Sequence, residues 1–257
     1  MDINDAFHST CKTVFGREIG ELREYEGYFR EALVGKFATS YFSKEKVFLT
    51  SEQYCEGAKF FDHNKEQTQI TKLLSKPLNI NEIKDIDSLF LAVKEKLIYS
   101  GNKVIGKSMF VQESDNVIDG IYVLNSSVID SCKYIAYSYV ISRTDFAFGT
   151  TSTGDSASTI RCFYNLYLRR SFECAFTNNS SECYFCYNLF NSSGCMFTFN
   201  VRTKRNMVGN IQLEPSRYSE LKTKLLGEIA DELERKKRLD FSIINIHKPE
   251  VSENGRD

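Results

Sequence analysis

A cysteine followed two places later by an aromatic ring recurs in Cys132-Lys133-Tyr134, Cys162-Phe163-Tyr164, Cys174-Ala175-Phe176, Cys183-Tyr184-Phe185 and Cys195-Met196-Phe197. From Cys162 onward the steps are 12, 9 and 12 residues. Three of these cysteines share a frame, Ser171-Phe172-Glu173-Cys174, Ser180-Ser181-Glu182-Cys183 and Ser192-Ser193-Gly194-Cys195. A short fixed period marks a repeat architecture, in which one unit cannot bury its apolar residues alone and must share a core with its neighbours. The frame extends to anchors at 120, 132, 146, 162, 174, 183, 195 and 207, a step close to 12 with one short and two long exceptions. The long steps flank 149–159, whose Gly, Ser and Thr content predicts a loop bulging from the stack.

Beyond Lys103 the chain consists of short runs of β-branched and aromatic residues punctuated by Asn, Ser, Asp and Gly, with no Pro between Pro77 and Pro215. That is the composition of many short strands. The fold class expected is mainly β, a parallel β-solenoid over 103–214 with an α-helical N-terminal region and a C-terminal capping helix. Cys is a small, readily buried residue, and placing an aromatic two positions on would set both side chains on one face of a strand. Asn165, Asn178, Asn179, Asn188, Asn191 and Asn200 suit corners, where Asn tolerates left-handed backbone and can form ladders along the stack. Twelve residues make a short coil for interior Phe and Tyr, so two units are expected per coil of about 24 residues.

The region 1–102 reads as mixed and mostly α. Ile19, Leu22, Tyr25, Phe29 and Leu33 predict an amphipathic helix over 16–34. Short β-like runs follow at 38–42 and 47–50, then a polar loop at 62–69. Ile86, Leu89, Leu91, Val93 and Leu97 predict a helix over 83–99, ended by Gly101-Asn102. After Pro215, the residues Tyr218, Leu221, Leu225, Ile229 and Leu233 predict a further helix with Ser216 as N-cap, laid over the last coil to cover its strand edges. Residues 241–246 read as a last strand, 215–246 forms one C-terminal unit, and 247–257 is a polar tail.

With 42% apolar residues over 257 positions the chain can bury a substantial core. A net charge of −1, with both signs scattered, creates no field that would argue for nucleic acid or an anionic membrane. The first residues carry no secretory signal and no apolar run reaches the roughly 18 residues of a membrane helix, so a soluble, cytoplasmic protein with eight reduced thiols is expected.

Chemistry-bearing motifs have bland readings. Cys183-Tyr184-Phe185-Cys186 lacks the second pair or the histidines a zinc site needs, and lies inside the repeat rather than at a helix start, where redox pairs sit. His8, His63 and His247 are isolated. Nucleophile-elbow, phosphate-loop, dinucleotide and metalloprotease signatures are absent from the sequence. Asp119, Asp130 and Asp145 recur in early coils, where paired carboxylates on a β-helix wall can act on sugars, but turn residues explain them more cheaply. The basic clusters 202–205 and 235–238 would adjoin if the last helix folds back on the last coil and could then touch phosphate or an acidic partner, but without interleaved stacking aromatics a solvated helix end is the better reading. Tyr137, Tyr139, Tyr167 and Tyr187 are candidates for a flat aromatic face. No catalytic, cofactor-binding or metal-ligating residue is expected.

The segment 183–209, Cys-Tyr-Phe-Cys-Tyr-Asn-Leu-Phe-Asn-Ser-Ser-Gly-Cys-Met-Phe-Thr-Phe-Asn-Val-Arg-Thr-Lys-Arg-Asn-Met-Val-Gly, resembles the closing repeats of Cys- and aromatic-rich β-solenoid proteins of large phages and uncultivated prokaryotes. The likeness extends over about 110–240, with several cysteine positions held here by Thr, Asn or Gly. It implies a solenoid and a viral or mobile-element setting. The function expected is a non-enzymatic structural or assembly protein, such as a virion component, that uses a protein partner or its own copies. A carbohydrate-binding or carbohydrate-active β-helix is the alternative, and nucleic-acid binding through the basic clusters is a third reading that the scattered charge disfavours.

Overall fold

The computed structural model describes residues 1–246 apart from Glu95. From Phe110 to Gly209 every third residue has a positive φ, between 44° and 61°. Each such residue turns the chain through a corner. Four corners close a coil of twelve residues, and successive coils pair in parallel with a constant shift, Ile121 with Lys133 and Lys133 with Asp145. The result is a parallel β-solenoid of about nine turns. The coil is therefore 12 residues and not 24, and 149–159 forms regular strands in register with no bulge. The 9-residue step from Cys174 to Cys183 is also regular, since three triplets move a side chain from one wall of the coil to another.

The inward direction returns at the third residue, so every third position from Ser114 to Thr198 is buried. This corrects the expectation that Cys and the aromatic two places on share a face. Cys162 and Cys174 point inward, whereas Tyr164 and Phe176 occupy left-handed corners and point out. Early coils are filled by Val117, Val123, Ile129, Ile135, Ile141 and Ala147, and later ones by Cys162, Leu168, Cys174, Cys183, Cys186, Leu189 and Cys195.

Small polar residues inside have a definite task. At a corner the backbone N–H turns inward, away from the strand ladder, and a buried orphan N–H costs about 1–3 kcal/mol. Ser114, Ser126 and Ser138 sit one above another, and their Oγ atoms accept from the N–H of Ser126 (3.1 Å), Ser138 (3.0 Å) and Thr150 (3.1 Å). Ser126 and Ser138 donate in turn to the carbonyls of Leu124 and Ala136. Cys132 Sγ serves likewise for Thr144 N–H at 3.4 Å. Buried Cys, Ser and Thr thus substitute for one another because each is small and offers an acceptor.

One outer wall, Leu124, Ala136, Phe148, Ile160, Phe172, Tyr184 and Met196, is apolar and covered. The covering helices are α1 (Ile3–Phe15), and α5 (Pro215–Lys236), after α2 (Glu26–Phe29), α3 (Gln67–Leu74) and α4 (Ile86–Val93). Asp2 begins α1 with a capping box and Gly16, at φ 83°, ends it. The sequence pattern over 16–34 thus lies beyond a helix that was not foreseen. It forms short helical turns whose Ile19, Leu22, Tyr25 and Phe29 are nonetheless buried, as their spacing predicts. Phe7 meets Phe148 edge-on at 5.2 Å and Phe15 meets Phe172 at 5.0 Å. Gly149 lets Phe29 approach, since a Cβ there would lie 2.8 Å from the ring.

The helix α5 begins at the last coil, with Tyr218 against Gly194, and runs along the side of the stack, Lys222 reaching Glu182 and Lys237 reaching Glu24. It flanks the solenoid instead of lying across its end, with Leu226, Ile229, Ala230 and Leu233 in one buried cluster with the apolar wall. Its N-cap is Glu214, not Ser216. Residues 241–246 form a turn, not a strand, and the tail 247–257 lies outside the described residues.

The N-terminal region carries strands β1 (Lys36–Thr39), β2 (Lys46–Leu49), β3 (Lys59–Asp62) and β4 (Ile98–Gly101). The first two match the β-like runs. The polar 62–69 segment instead enters α3, and the 83–99 helix shortens to α4, with Gly101 inside β4 rather than beyond a helix end. This region sits on the first coil. Thr50 N–H donates to Asp115 Oδ2 (2.9 Å), and Asn102 Nδ2 donates to Asp62 Oδ2 (2.6 Å).

Candidate functional site

The residues singled out for chemistry do not converge. Asp119 Oδ1 accepts from Lys107 N–H at 2.7 Å, Asp145 Oδ1 from Lys133 N–H at 3.1 Å, and Asp130 Oδ1 from Ser131 Oγ at 3.0 Å. Each carboxylate ties its own coil or the preceding one, as turn residues do. His8 lies beside Glu21, and His63 packs near Phe61. The two basic clusters are held apart by the length of α5. The second is partly neutralised, Lys236 by Glu232, Lys237 by Glu24 and Arg238 by Glu31.

Cys183 and Cys186 are inward residues on adjacent walls. The Cys174 thiol donates to Cys183 C=O at 3.2 Å and that of Cys186 to Cys195 C=O at 3.3 Å. Burial holds the Cys174 thiol well above its ordinary range. Among the described residues no group of three His, Cys, Asp or Glu is placed to hold a metal ion.

Arg161 and Glu173 form the most buried charged pair, 2.6 Å apart. Tyr28 Oη donates to Glu173 Oε1 (3.0 Å), Ile243 N–H donates to Oε2 (3.0 Å), and the guanidinium lies 4.0 Å from the Tyr28 ring centroid. The partners come from three parts of the chain, so this cluster is a fastening. A recess of about 570 Å³ near the start of α1 is lined by Asp2, which caps that helix, and by Glu21, which accepts from Asn4.

What distinguishes the molecule is a bare wall on the later coils. Residues 163–168, 175–180 and 187–192 contain no Asp, Glu, Lys or Arg, in a chain that is 26% charged, and charge returns on the last coil at Arg202 and Lys204. The same wall on earlier coils carries Asp115, Asp119, Asp130, Arg143 and Asp155. On the uncharged part Tyr164, Leu166, Tyr167, Phe176, Tyr187 and Phe190 are each 41–56% exposed. Asn ladders run beside them, Asn188 Nδ2 donating to Asn200 Oδ1 at 2.9 Å and Asn179 to Asn191. Along one edge Tyr187, Phe199, Asn200, Ile243 and Ile246 line a recess of about 470 Å³.

Tyr167 and Tyr187, two of the expected surface rings, belong to this face. Tyr139 lies half-buried on an earlier coil, and Tyr137 is buried near Phe29. The missing signal in the sequence was the triplet frame, which sorts the charges coil by coil onto walls. Fold and surface together define a β-solenoid of four-cornered coils with one wall sheathed by helices and another left bare and uncharged. No family model, curated protein or solved structure matches the chain.

Proposed function

We propose that the protein is a non-enzymatic structural or assembly protein whose solenoid presents the uncharged aromatic face to a protein partner or to another copy of itself. The observation that carries this reading is the grouping of five exposed rings, Tyr164, Tyr167, Phe176, Tyr187 and Phe190, on a part of the surface without charge. Interface centres are enriched in aromatic residues and depleted of charge in the same way. Backbone pairing along the whole stack supplies the rigidity a scaffold requires. The likeness of 183–209 to solenoids of large phages supports a virion component as the setting, assembled in a host cytoplasm.

Carbohydrate binding is less well served by this surface. Tyr164 and Phe176 stack on each other at 4.9 Å with planes 13° apart, so ring edges rather than faces meet solvent. A sugar platform needs the faces. Nucleic acid is disfavoured by the absence of charge, and no helix among the described residues is long and apolar enough to cross a membrane.

Sedimentation velocity over a wide concentration range tests the proposal. The expected result is an association that Phe176→Asp abolishes, since Asp accepts the left-handed corner at Phe176 while placing a charge on the face. A strictly monomeric wild type, together with no partner from its native extract that Phe176→Asp loses, would overturn it.

A further inference from the structure

A second apolar patch lies at the other end of the chain. Leu74, Ile80, Ile86, Phe90, Leu91 and Leu97 are each 53–78% exposed, and no residue of α4 is buried. An eight-residue helix without a packing partner is marginal in water, so α4 is a surface that lacks its cover. The arm is pinned to the first coil by Asn102–Asp62 and by Asn64 Nδ2, which donates to Val104 C=O at 3.2 Å. The uncharged face begins at residue 163, more than four twelve-residue coils beyond Val104, or about 20 Å at strand spacing. The arm is thus held away from the face of its own chain.

We infer that α4 and its flanking residues in one copy occupy the uncharged face of a second copy. The inference rests on the assembly reading above and names its partner. Three observations carry it. The patches match in size, since six large side chains about half exposed offer roughly 600 Å² on each side, which brings the pair to the lower range of specific interfaces. The face carries no charge before Arg202, which stands beside Phe190 at its edge, so Lys84, Asp85, Asp87 and Lys94 around α4 can stay at the rim. Finally, an arm-to-face contact covers both bare patches at once, whereas face-to-face pairing would leave α4 in water. The recess beside Tyr187 and Phe199 provides a concave seat for a ring such as Phe90.

Two full-length variants test this, Phe90→Asp on the arm and Phe176→Asp on the face, with Leu91→Asp and Tyr164→Asp as second choices. Circular dichroism melts establish that each is folded. Each variant alone is expected to associate at least about thirtyfold more weakly than wild type, the scale of a lost hot spot. Mixed together they form a 1:1 complex, because each retains the half the other lacks. If Phe90→Asp associates as wild type does while Phe176→Asp does not, the face pairs with itself or with 247–257. The inference then falls and the assembly reading stands. If wild type never associates and no partner depends on the face, both fall. Binding to anionic vesicles that Phe90→Asp removes would give the arm a lipid occupant and also overturn the inference.

Discussion

Arg161 Nε donates to Glu173 Oε1 across 2.6 Å, from a corner of one coil to the matching corner of the next, and both side chains are withdrawn from solvent. Around this pair gather Tyr28 from the N-terminal region and Ser242 from the C-terminal turn. The cluster fastens both ends of the chain to the middle of the stack. Removing Arg161 leaves the buried Glu173 charge without a cation, which costs about 3–5 kcal/mol, whereas Glu31 at 3.2 Å still pairs with Arg161 when Glu173 is removed. Arg161→Met should fall in that range in urea unfolding, Glu173→Gln should lose less, and the double variant should lose less than their sum. Additive losses would show that the pair acts as two independent groups.

The inward hydroxyl ladder makes a distinction between Ala and Cys. Ser138→Ala removes the acceptor for Thr150 N–H and should cost about 1–3 kcal/mol. Ser138→Cys should cost clearly less, because Cys132 Sγ fills the same role on the opposite wall. Equal losses in chemical denaturation would argue against the ladder.

Corner backbone predicts a gain. Val140 holds φ 57°, a conformation that β-branched residues rarely take, with its side chain partly exposed. Val140→Asn should raise stability by about 1 kcal/mol, Asn being the residue most at ease there after Gly. A thermal melt with no rise would refute the assignment of strain to that corner.

Seven of the eight cysteines are buried, and only Cys55 is exposed. Burial pushes the Cys132 thiol up to about 11, so it stays protonated at neutral pH. A thiol reagent at pH 7.5 should titrate one group in the native protein and eight in denaturant. Rapid reaction of further groups under native conditions would contradict the thiol-filled interior.

Acid should loosen α5. Lys222 lies 2.6 Å from Glu182 Oε2, and its hydrogen bond is the main reason the Glu182 carboxyl sits below its ordinary range. A carboxylate with a depressed folded value stabilises above the unfolded value, near 4.3, and loses that contribution as pH falls through the folded one. The site is partly solvated, so the contribution is below about 1 kcal/mol. The stability difference between wild type and Glu182→Gln should shrink from pH 6 to pH 3, and a constant difference would exclude this coupling.

Much of the solenoid was legible because a stack repeats its own sequence problem. The recurring Cys, the lack of Pro and the Asn corners, correct at Asn179, Asn188, Asn191 and Asn200 though not at the inward Asn165 or at Asn178, announced stacked parallel strands without reference to any distant contact. The frame was misread where a strand period of two was assumed, because left-handed corners every third residue are a backbone state and leave no direct mark in residue type. Tyr164, Arg170 and Val140 all occupy such corners beside the expected Asn188 and Asn200. The helix over 16–34 was misplaced for a related reason. Apolar spacing reports which residues are buried, and Ile19, Leu22 and Phe29 are, but they follow Gly16, which ends α1, and lie in the short helical turns beyond it.

Local sequence thus determined that the chain stacks, that Cys and Ser fill the interior, and that periodic helices flank the repeats, because burial and hydrogen-bond satisfaction act coil by coil. Tertiary structure alone decided which wall the helices cover, that Arg161 and Glu173 draw the two ends together, and that the face around Phe176 and the arm at Phe90 are left bare. Those outcomes depend on which surfaces meet across more than a hundred residues, and neither periodicity nor composition carries that information.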